Sequence, residues 1–318
     1  MTRINRFTRC SLLVAIAMSF CWAFCPVSVF AAQDEEQKPQ RKLSVVCSTT
    51  QIADFARQVV GDRWEVICVL APGEDPHTYE TGNDDLVAVS KADLCLENGW
   101  HLEGNEWMQG LASSANKPVV TCVNGVEALM LEEENESGQA ETVKDPHAWF
   151  DHNNAAVYVK NIRDAVSKVD PDNADEYAAR TNLYLLQLRG LGRWIERQVN
   201  AIPQNRRILV THHDAFGYFC RTYGFKAVTP VGWTTGELTD VSLEDRQAVI
   251  KQIKELGIKS IFVETTINTE ILDGIARDSG ITIGGSLYSD AMGGDGTAGD
   301  TYIGMMRENV LTIVKHLK

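Results

Sequence analysis

The chain has 318 residues, of which 44% are hydrophobic and 23% are charged. This composition is typical of a globular protein and excludes the disordered and fibrous classes, and the length allows one large or two ordinary domains. The net charge of −13 disfavours nucleic acid as a partner, because phosphate backbones attract basic surfaces.

The first segment, residues 1–32, is predicted to be a secretory signal peptide. Three arginines precede an apolar run, and Ala31 and Ala32 stand before a polar linker at residues 33–42. Pro26 interrupts the run, whereas a membrane anchor needs about 20 strongly apolar residues. None of the three cysteines in this segment stands in the context that lipoprotein processing requires. We therefore expect an exported, periplasmic protein that is soluble after cleavage.

Short β-branched runs alternate with helical patterns along the rest of the chain. The runs are LSVVCST, WEVICVL, ADLCLEN and PVVTCV, followed later by RILVTHH, KAVTPV, KSIFVE and ITIGGSLY. This alternation predicts an α/β fold in which helices cover central sheets. The five cysteines after the leader are odd in number and form no CxxC pair, so buried structural roles are expected for most of them.

A long segment between the two groups of strands, residues 172–202, is predicted to be a single helix of about eight turns. It opens with DPDN, has no internal proline and carries apolar residues at spacings of three and four. We expect this helix to connect an N-terminal lobe at 43–171 with a C-terminal lobe at 203–318. An ordinary helix inside one domain is the alternative.

Two of the seven histidines end the same tripeptide, Asp-Pro-His. His77 follows the strand WEVICVL, and His147 follows the acidic segment 131–144, which is predicted to be an exposed loop. Proline keeps the preceding residue extended and stops a helix, so both histidines are expected in stiff loops. A metal-ligand role is one interpretation of the repeat, and chance turn chemistry is the other.

Two further candidates stand where predicted strands end. In RILVTHHDAFGYF a strand runs into a helix through His212 and His213, and strand alternation predicts that only one of the two faces a site. Asp290 follows the strand in ITIGGSLYSDAMG. Side chains that lie just beyond the carboxyl ends of strands can converge in one cleft, so we expect these candidates to lie close together. Three imidazoles and one carboxylate suit zinc or manganese better than calcium or magnesium, which prefer oxygen ligands.

A zinc-dependent hydrolase is an alternative that these ligand types leave open. Catalytic zinc keeps a position for water and uses a separate carboxylate as base, which Glu264 at the end of KSIFVE could supply. The chain has no HExxH, GxSxG or phosphate-loop motif. A GxGxxG motif starting at Gly294 lies too near the C-terminus to open a dinucleotide-binding unit, so a turn is expected. Surface or supporting roles are expected for His101, His152 and His316.

Six motifs follow one another along the chain: GEDPHTYE, ADLCLENGWHLE, DPHAWFDHNNAAVYVKNI, DPDNADEYAARTNLYLLQL, THHDAFGYFCRTYG and SDAMGGDGTAGDTYIGMMRENVLTIVKHL. With these motifs the chain resembles the zinc/manganese substrate-binding proteins of ABC importers over about residues 43–318. The resemblance implies two α/β lobes joined by one rigid helix. It also implies that one Zn²⁺ or Mn²⁺ ion is held in the cleft between the lobes by His77, His147, His213 and Asp290.

The resemblance further implies that the protein catalyses no reaction. It also implies that the protein captures the ion outside the cytoplasmic membrane and delivers it, as a monomer, to an ABC permease with a cytoplasmic ATPase. Small lobe movements about the long helix then distinguish the loaded from the empty protein. A metal-binding surface adhesin of the same fold is the alternative. Asp75, Asp145 and Glu264 are candidates for orienting the imidazole rings.

The chain departs from the family pattern in two places. Zinc-dedicated members often carry a histidine-rich loop before the second ligand, whereas residues 131–144 contain no histidine, which argues against an exclusive zinc preference. Asp151 is followed by His152 where proline is common, so the local loop shape is expected to differ. A histidine at the third ligand position is found in members that take zinc and sometimes manganese, and the sequence does not choose between the two metals.

Overall fold

The computed structural model describes most of the chain that follows the predicted leader. The described residues are 41–134, 139–211, 213–228, 243–258, 260–266 and 270–318. The predicted signal peptide at 1–32 lies outside them, as do residues 33–40 of the predicted linker and His212. Within the described ranges, no helix combines the length and the apolar character needed to cross a bilayer.

The N-terminal lobe is built on a parallel sheet of four strands in the order β2-β1-β3-β4. The strands are β1 (Leu43–Cys47), β2 (Trp64–Cys68), β3 (Leu94–Glu97) and β4 (Val119–Thr121). The helices of this lobe are α1 (Thr50–Val60), α2 (Asn83–Lys91), α3 (Trp107–Ser114) and α4 (His152–Val169). Parallel strands need crossover connections, and α1, α2 and α3 lie in the three crossovers.

Both faces of this sheet are covered, which explains why β1 carries the consecutive apolar residues Val45, Val46 and Cys47. Successive side chains of a strand point to opposite faces. Val45 and Cys47 are buried in the large core, whereas Val46 packs in a second cluster with Val89 of α2 and Met108 of α3. As predicted, most of the five described cysteines are buried, and all five are free thiols.

The acidic segment 131–144, predicted to be a loop, instead contributes to an antiparallel hairpin. Strands β5 (Met130–Glu134) and β6 (Ala140–Lys144) pair with Met130 opposite Lys144 and Glu132 opposite Thr142. The loop prediction is wrong because acidic composition reports solvent exposure, and a surface ribbon can pair its backbone while side chains such as Glu132 stay exposed. The second strand leads directly into the loop of His147.

The predicted long helix is present as α5 (Ala174–Val199), which follows a short 3-10 turn at Pro171–Asn173. It has 26 residues, so it is about 39 Å long. Tyr177, Tyr184, Leu188, Leu191 and Ile195 form its buried stripe at spacings of three, four and seven. The helix packs against α1 and α4, and against the C-terminal helix of the chain.

The C-terminal lobe contains two parallel strand pairs, β7 with β8 and β9 with β10, and β7 lies next to β9. The strands are β7 (Ile208–Val210), β8 (Lys226–Val228), β9 (Ser260–Glu264) and β10 (Thr282–Leu287). The helices are α6 (Gly217–Tyr223), α7 (Leu243–Glu255), α8 (Glu270–Ser279) and α9 (Tyr302–Leu317). The predicted α/β class with parallel-sheet lobes and one long helix is confirmed.

Candidate metal centre

His77 lies in the first Asp-Pro-His loop, after β2. Oδ1 of Asp75 accepts the main-chain N–H of His77 at 2.8 Å, and the Trp107 indole N–H donates to the Pro76 carbonyl at 3.0 Å. A Cβ atom on Gly104 would lie 1.9 Å from the His77 carbonyl oxygen, so glycine is required for this close backbone approach. The His77 side chain is therefore aimed by a tightly packed loop, and 11% of it remains exposed.

His147 lies in the second Asp-Pro-His loop, between β6 and α4. Oδ1 of Asp145 accepts the main-chain N–H of His147 at 2.9 Å and also lies 2.9 Å from Nδ1 of its ring. The Asn98 side chain donates to the Pro146 carbonyl at 3.0 Å, and the Tyr218 hydroxyl donates to the Asp145 carbonyl at 3.0 Å. Both loops thus use the aspartate to hold the histidine backbone, but only Asp145 also reaches the ring.

His213 follows β7 and is buried. Glu264, the last residue of β9, accepts the main-chain N–H of His213 through Oε1 at 3.1 Å, and its Oε2 lies 2.7 Å from Nδ1 of the ring. The Thr211 hydroxyl donates to the His213 carbonyl at 3.1 Å. Because Nδ1 is held by Glu264, Nε2 is the ring nitrogen that faces the other candidates.

Asp290 follows β10 and is also buried. Its Oδ2 accepts a hydrogen bond from the Ser289 hydroxyl at 3.2 Å. The structure therefore brings together all four side chains that the sequence analysis predicted as ligands, His77, His147, His213 and Asp290, from loops at four separate places in the chain.

The nearest side-chain atoms of these four residues all lie within 4.8 Å of one another. Nε2 of His147 is 3.3 Å from Nε2 of His77, 3.4 Å from Nε2 of His213 and 3.3 Å from Oδ1 of Asp290. Oδ2 of Asp290 lies 3.3 Å from Nε2 of His213. A tetrahedral zinc ion with bonds of about 2.0–2.1 Å separates its ligand atoms by about 3.3–3.4 Å. The three separations from Nε2 of His147 match this spacing, and Nε2 of His77 lies farther, at 3.9 Å, from Oδ1 of Asp290.

The electrostatics of the cluster favour a cation. Burial, together with neighbouring His147 and His213, lowers the pKa of His77 to about 3, so this ring is neutral. Burial also acts to lower the pKa of His147, but hydrogen bonds with Asp145 and Asp290 outweigh it and raise that pKa to about 9. Burial alone raises the pKa of Asp290, yet His213 and His147 hold it well below its usual range. The buried carboxylates thus attract positive charge, which protons or a metal ion can supply.

The three candidates for orienting the rings behave differently. Asp145 and Glu264 lie beside the Nδ1 atoms of His147 and His213, whereas Asp75 holds the backbone of His77. A carboxylate at Nδ1 selects the tautomer that leaves Nε2 free for a metal. Since both oxygens of the buried Glu264 face His213, this residue is placed to orient the ring and is poorly placed as the base of a hydrolase.

The remaining described histidines lie away from the cluster. The His101 side chain is 77% exposed, Nδ1 of His152 lies 2.9 Å from the Tyr223 hydroxyl, and His316 packs edge-on to Phe262. Sequence reasoning missed other residues that hold the site, such as Asn98. The only feature of the local sequence that marks Asn98 is its place as a polar residue at the end of a predicted strand.

The fold and this buried cluster together define a two-lobed α/β binding protein with a candidate transition-metal centre. Residues 45–316 match the profile of the family described as ZnuA, zinc-uptake complex component A periplasmic. The chain belongs to this family, and the resemblance inferred from its motifs is confirmed.

Relatives in several organisms are similar over nearly their whole length. The manganese-binding lipoprotein MntA of Halalkalibacterium halodurans is 37% identical over 276 residues, which cover 86% of this chain and 88% of the relative. The manganese ABC transporter substrate-binding lipoprotein PsaA of Streptococcus pneumoniae is 30% identical, with 87% and 89% covered.

Solved structures agree with the fold. The periplasmic zinc-binding protein TroA from Treponema pallidum superposes with a TM-score of 0.78 at 32% identity, covering 87% of this chain and 99% of TroA. A manganese-bound mutant of a periplasmic metal-binding protein from Candidatus Liberibacter asiaticus superposes with a TM-score of 0.76 at 26% identity, covering 87% and 100%.

Proposed function

We propose that this protein captures a zinc or manganese ion outside the cytoplasmic membrane and delivers it to an ABC importer. In this proposal His77, His147, His213 and Asp290 are the four ligands. The observation that carries it is the spacing of their ligand atoms, since Nε2 of His147 lies 3.3–3.4 Å from Nε2 of His77, Nε2 of His213 and Oδ1 of Asp290, which is the edge length of a tetrahedral zinc site. Relatives whose names state manganese or zinc binding support the choice of these two metals.

The two metals share this ligand set. Imidazole suits zinc well, and the general order of affinities places zinc above manganese at a given site. Manganese prefers more ligands, often oxygen atoms, and the second carboxylate oxygen of Asp290 is the additional donor within the cluster. Both metals are therefore candidates for the transported ion, and a competition experiment between zinc and manganese determines which one the protein prefers.

The family is described as a component of a zinc-uptake complex, and in our proposal this chain catalyses no reaction. Delivery in our proposal occurs by docking of the monomer on a membrane permease whose cytoplasmic ATPase powers transport. The lobes at 43–171 and 203–318 move slightly about the helix at 172–202 when the metal binds or leaves. The length and extensive packing of α5 support small movements over a wide hinge closure.

The test is a measurement of metal content and of competitive zinc and manganese affinities, with metal-stripped protein as the reference. We expect one tightly held ion per chain. Retention of zinc in competition assigns zinc uptake, and retention of manganese assigns manganese uptake. The absence of any stoichiometric metal in the wild-type protein would overturn the proposed function. Loss of growth at limiting metal on deletion of the gene, restored by excess metal, separates import from a role as adhesin.

A further inference from the structure

The loop that carries Asp290 is held by the first turn of α1, an element of the other lobe. The Gln51 side chain donates through Nε2 to the Ser289 carbonyl at 3.0 Å. The main-chain N–H of Met292 donates to the Thr50 hydroxyl at 2.8 Å. These two hydrogen bonds flank Asp290 on either side, so they restrain the position of its backbone.

A third hydrogen bond, between the side chains of Thr50 and Gln51, orients both of them toward the Asp290 loop. The Thr50 hydroxyl donates to Oε1 of Gln51 at 3.1 Å, which turns the amide so that Nε2 points to the Ser289 carbonyl. Thr50 is 7% exposed and Gln51 1% exposed. Because polar groups removed from water are costly to leave unpaired, these buried bonds hold the two segments together.

The two lobes therefore share the cluster unequally. His77 and His147 lie in loops of the N-terminal lobe, and the α1 contacts tie Asp290 to that lobe as well. His213, in contrast, is held by Glu264 and Thr211 of the C-terminal lobe. Movement of the lobes that keeps the α1 contacts but breaks the hydrogen bond from the Tyr218 hydroxyl of α6 to the Asp145 carbonyl would draw His213 away from the other three side chains.

We propose that Thr50 and Gln51 are positioning residues that hold Asp290 against the N-terminal lobe and thereby set the affinity of the metal site. This inference rests on the proposed function, because it concerns the fourth ligand of the proposed site. Neither residue is one of the four proposed ligands, and each acts through the Asp290 loop.

The test compares variants that remove one hydrogen bond at similar side-chain volume. Thr50→Val removes the hydroxyl, Gln51→Met removes the amide, and Thr50→Ser keeps the hydroxyl as the matched control. Zinc affinity is measured by competition with a chelator of known affinity. We expect the dissociation constant to rise at least tenfold in Thr50→Val and Gln51→Met, and to stay within threefold of wild type in Thr50→Ser.

A role in positioning Asp290 is separated from a general structural role by repeating Thr50→Val in an Asp290→Ala background. If Thr50 acts through Asp290, the substitution has no further effect on zinc affinity there. An equal loss in both backgrounds would overturn the inference, as would a folded Thr50→Val and a folded Gln51→Met that both bind zinc like wild type.

A second control tests whether any weakened contact between the lobes has the same effect. Asp54 of α1 accepts the main-chain N–H of Tyr302 at 3.0 Å, away from Asp290. We expect Asp54→Asn to lower the stability but to leave zinc affinity within threefold of wild type, and a tenfold loss there would contradict a specific role for Thr50 and Gln51. Failure of the wild-type protein to bind zinc or manganese would instead overturn the proposed function itself.

Discussion

The ring nitrogens of His147 and His213 that face away from the cluster each lie beside a carboxylate. Asp145 is 2.9 Å from Nδ1 of His147, and Glu264 is 2.7 Å from Nδ1 of His213. Such partners fix the tautomer and ring orientation and raise the basicity of the opposite nitrogen. At the scale of single residues, therefore, two of the three candidate imidazoles are paired with a carboxylate and are set in place before a metal arrives, whereas His77 is held through its backbone.

Replacing His213 by alanine tests the candidate ligand on the C-terminal lobe. We expect the metal dissociation constant to rise at least tenfold, which corresponds to about 1.4 kcal/mol, because one of four ligands is lost. Competitive titration measures the change, and His101→Ala is the matched control, since that side chain is 77% exposed. Unchanged affinity in His213→Ala would shift the role to His212, which lies outside the described residues.

The raised pKa of His147 predicts how metal affinity depends on pH. Burial acts to lower this pKa, but Asp145 and Asp290 raise it to about 9 in the metal-free protein. The ring is then protonated at neutral pH and must release its proton to bind a metal. As the pH rises, we expect the dissociation constant to fall about tenfold per pH unit for each proton that binding releases, up to a pH of about 9. Titrations at several pH values from 6 to 8 test this, and a flat profile would count against imidazole ligands.

The same shift predicts the pH dependence of folding without metal. The folded pKa of His147 lies above the unfolded value of 6.5, so protonation of this ring stabilises the metal-free fold. The contribution is complete below about pH 6.5 and is lost as the pH rises through about 9. Urea unfolding of the stripped protein across this range shows whether the stability falls as the sign requires.

At the scale of elements, the packing of α4 on α5 depends on a glycine of the long helix. A Cβ atom on Gly192 would lie 2.2 Å from Nε2 of His152, whose Nδ1 is 2.9 Å from the Tyr223 hydroxyl. The ring is therefore held on its other side and cannot move freely. Gly190, two residues earlier in the same helix, has no atom within 4 Å of its Cβ position.

Alanine at these two positions should change the stability in opposite directions. We expect Gly192→Ala to lower the free energy of unfolding by about 1–3 kcal/mol, because it overpacks the α4–α5 contact. Gly190→Ala should raise it by about 0.5–1 kcal/mol, because alanine favours the helix and meets open space. Urea unfolding of both variants measures the difference, and similar effects at the two positions would contradict the packing argument.

At the scale of the whole molecule, the candidate site links segments that are far apart in the chain. His77 and Asp290 come from loops separated by most of the described sequence, and their nearest side-chain atoms lie 3.9 Å apart. A metal ion held by residues from both lobes binds the folded chain and not the unfolded one. The metal should therefore stabilise the whole fold by mass action.

We expect the free energy of unfolding to rise by about 1.4 kcal/mol for each tenfold increase in free metal above the dissociation constant. Urea unfolding at buffered zinc concentrations measures this slope. The double variant His147→Ala/His213→Ala is the control and should show little response over the same range. A wild-type stability that does not depend on metal would show that the cluster is not a metal site.

Local patterns in the sequence were enough to predict the α/β class, the long helix and three of the candidate ligands, His77, His147 and Asp290. The β-branched runs, the apolar spacing of α5 and the proline of each Asp-Pro-His loop act through neighbouring residues, so a single chain reveals them. The acidic segment 131–144 misled the prediction, since exposure does not distinguish a loop from a surface hairpin. Motif resemblance, more than periodicity, favoured His213 over His212.

The tertiary structure decided which side chains hold each candidate ligand in place. The ring of His213 lies beside Glu264, and Thr50 and Gln51 hold the Asp290 loop, although nothing in the local sequence links these residues. Such contacts depend on how the sheets and α5 pack, and packing brings together residues whose separation along the chain carries no periodic signal. The sequence by itself thus determined the elements and the chemistry of the candidate ligands, and the packed fold determined their spacing, their partners and the charge around them.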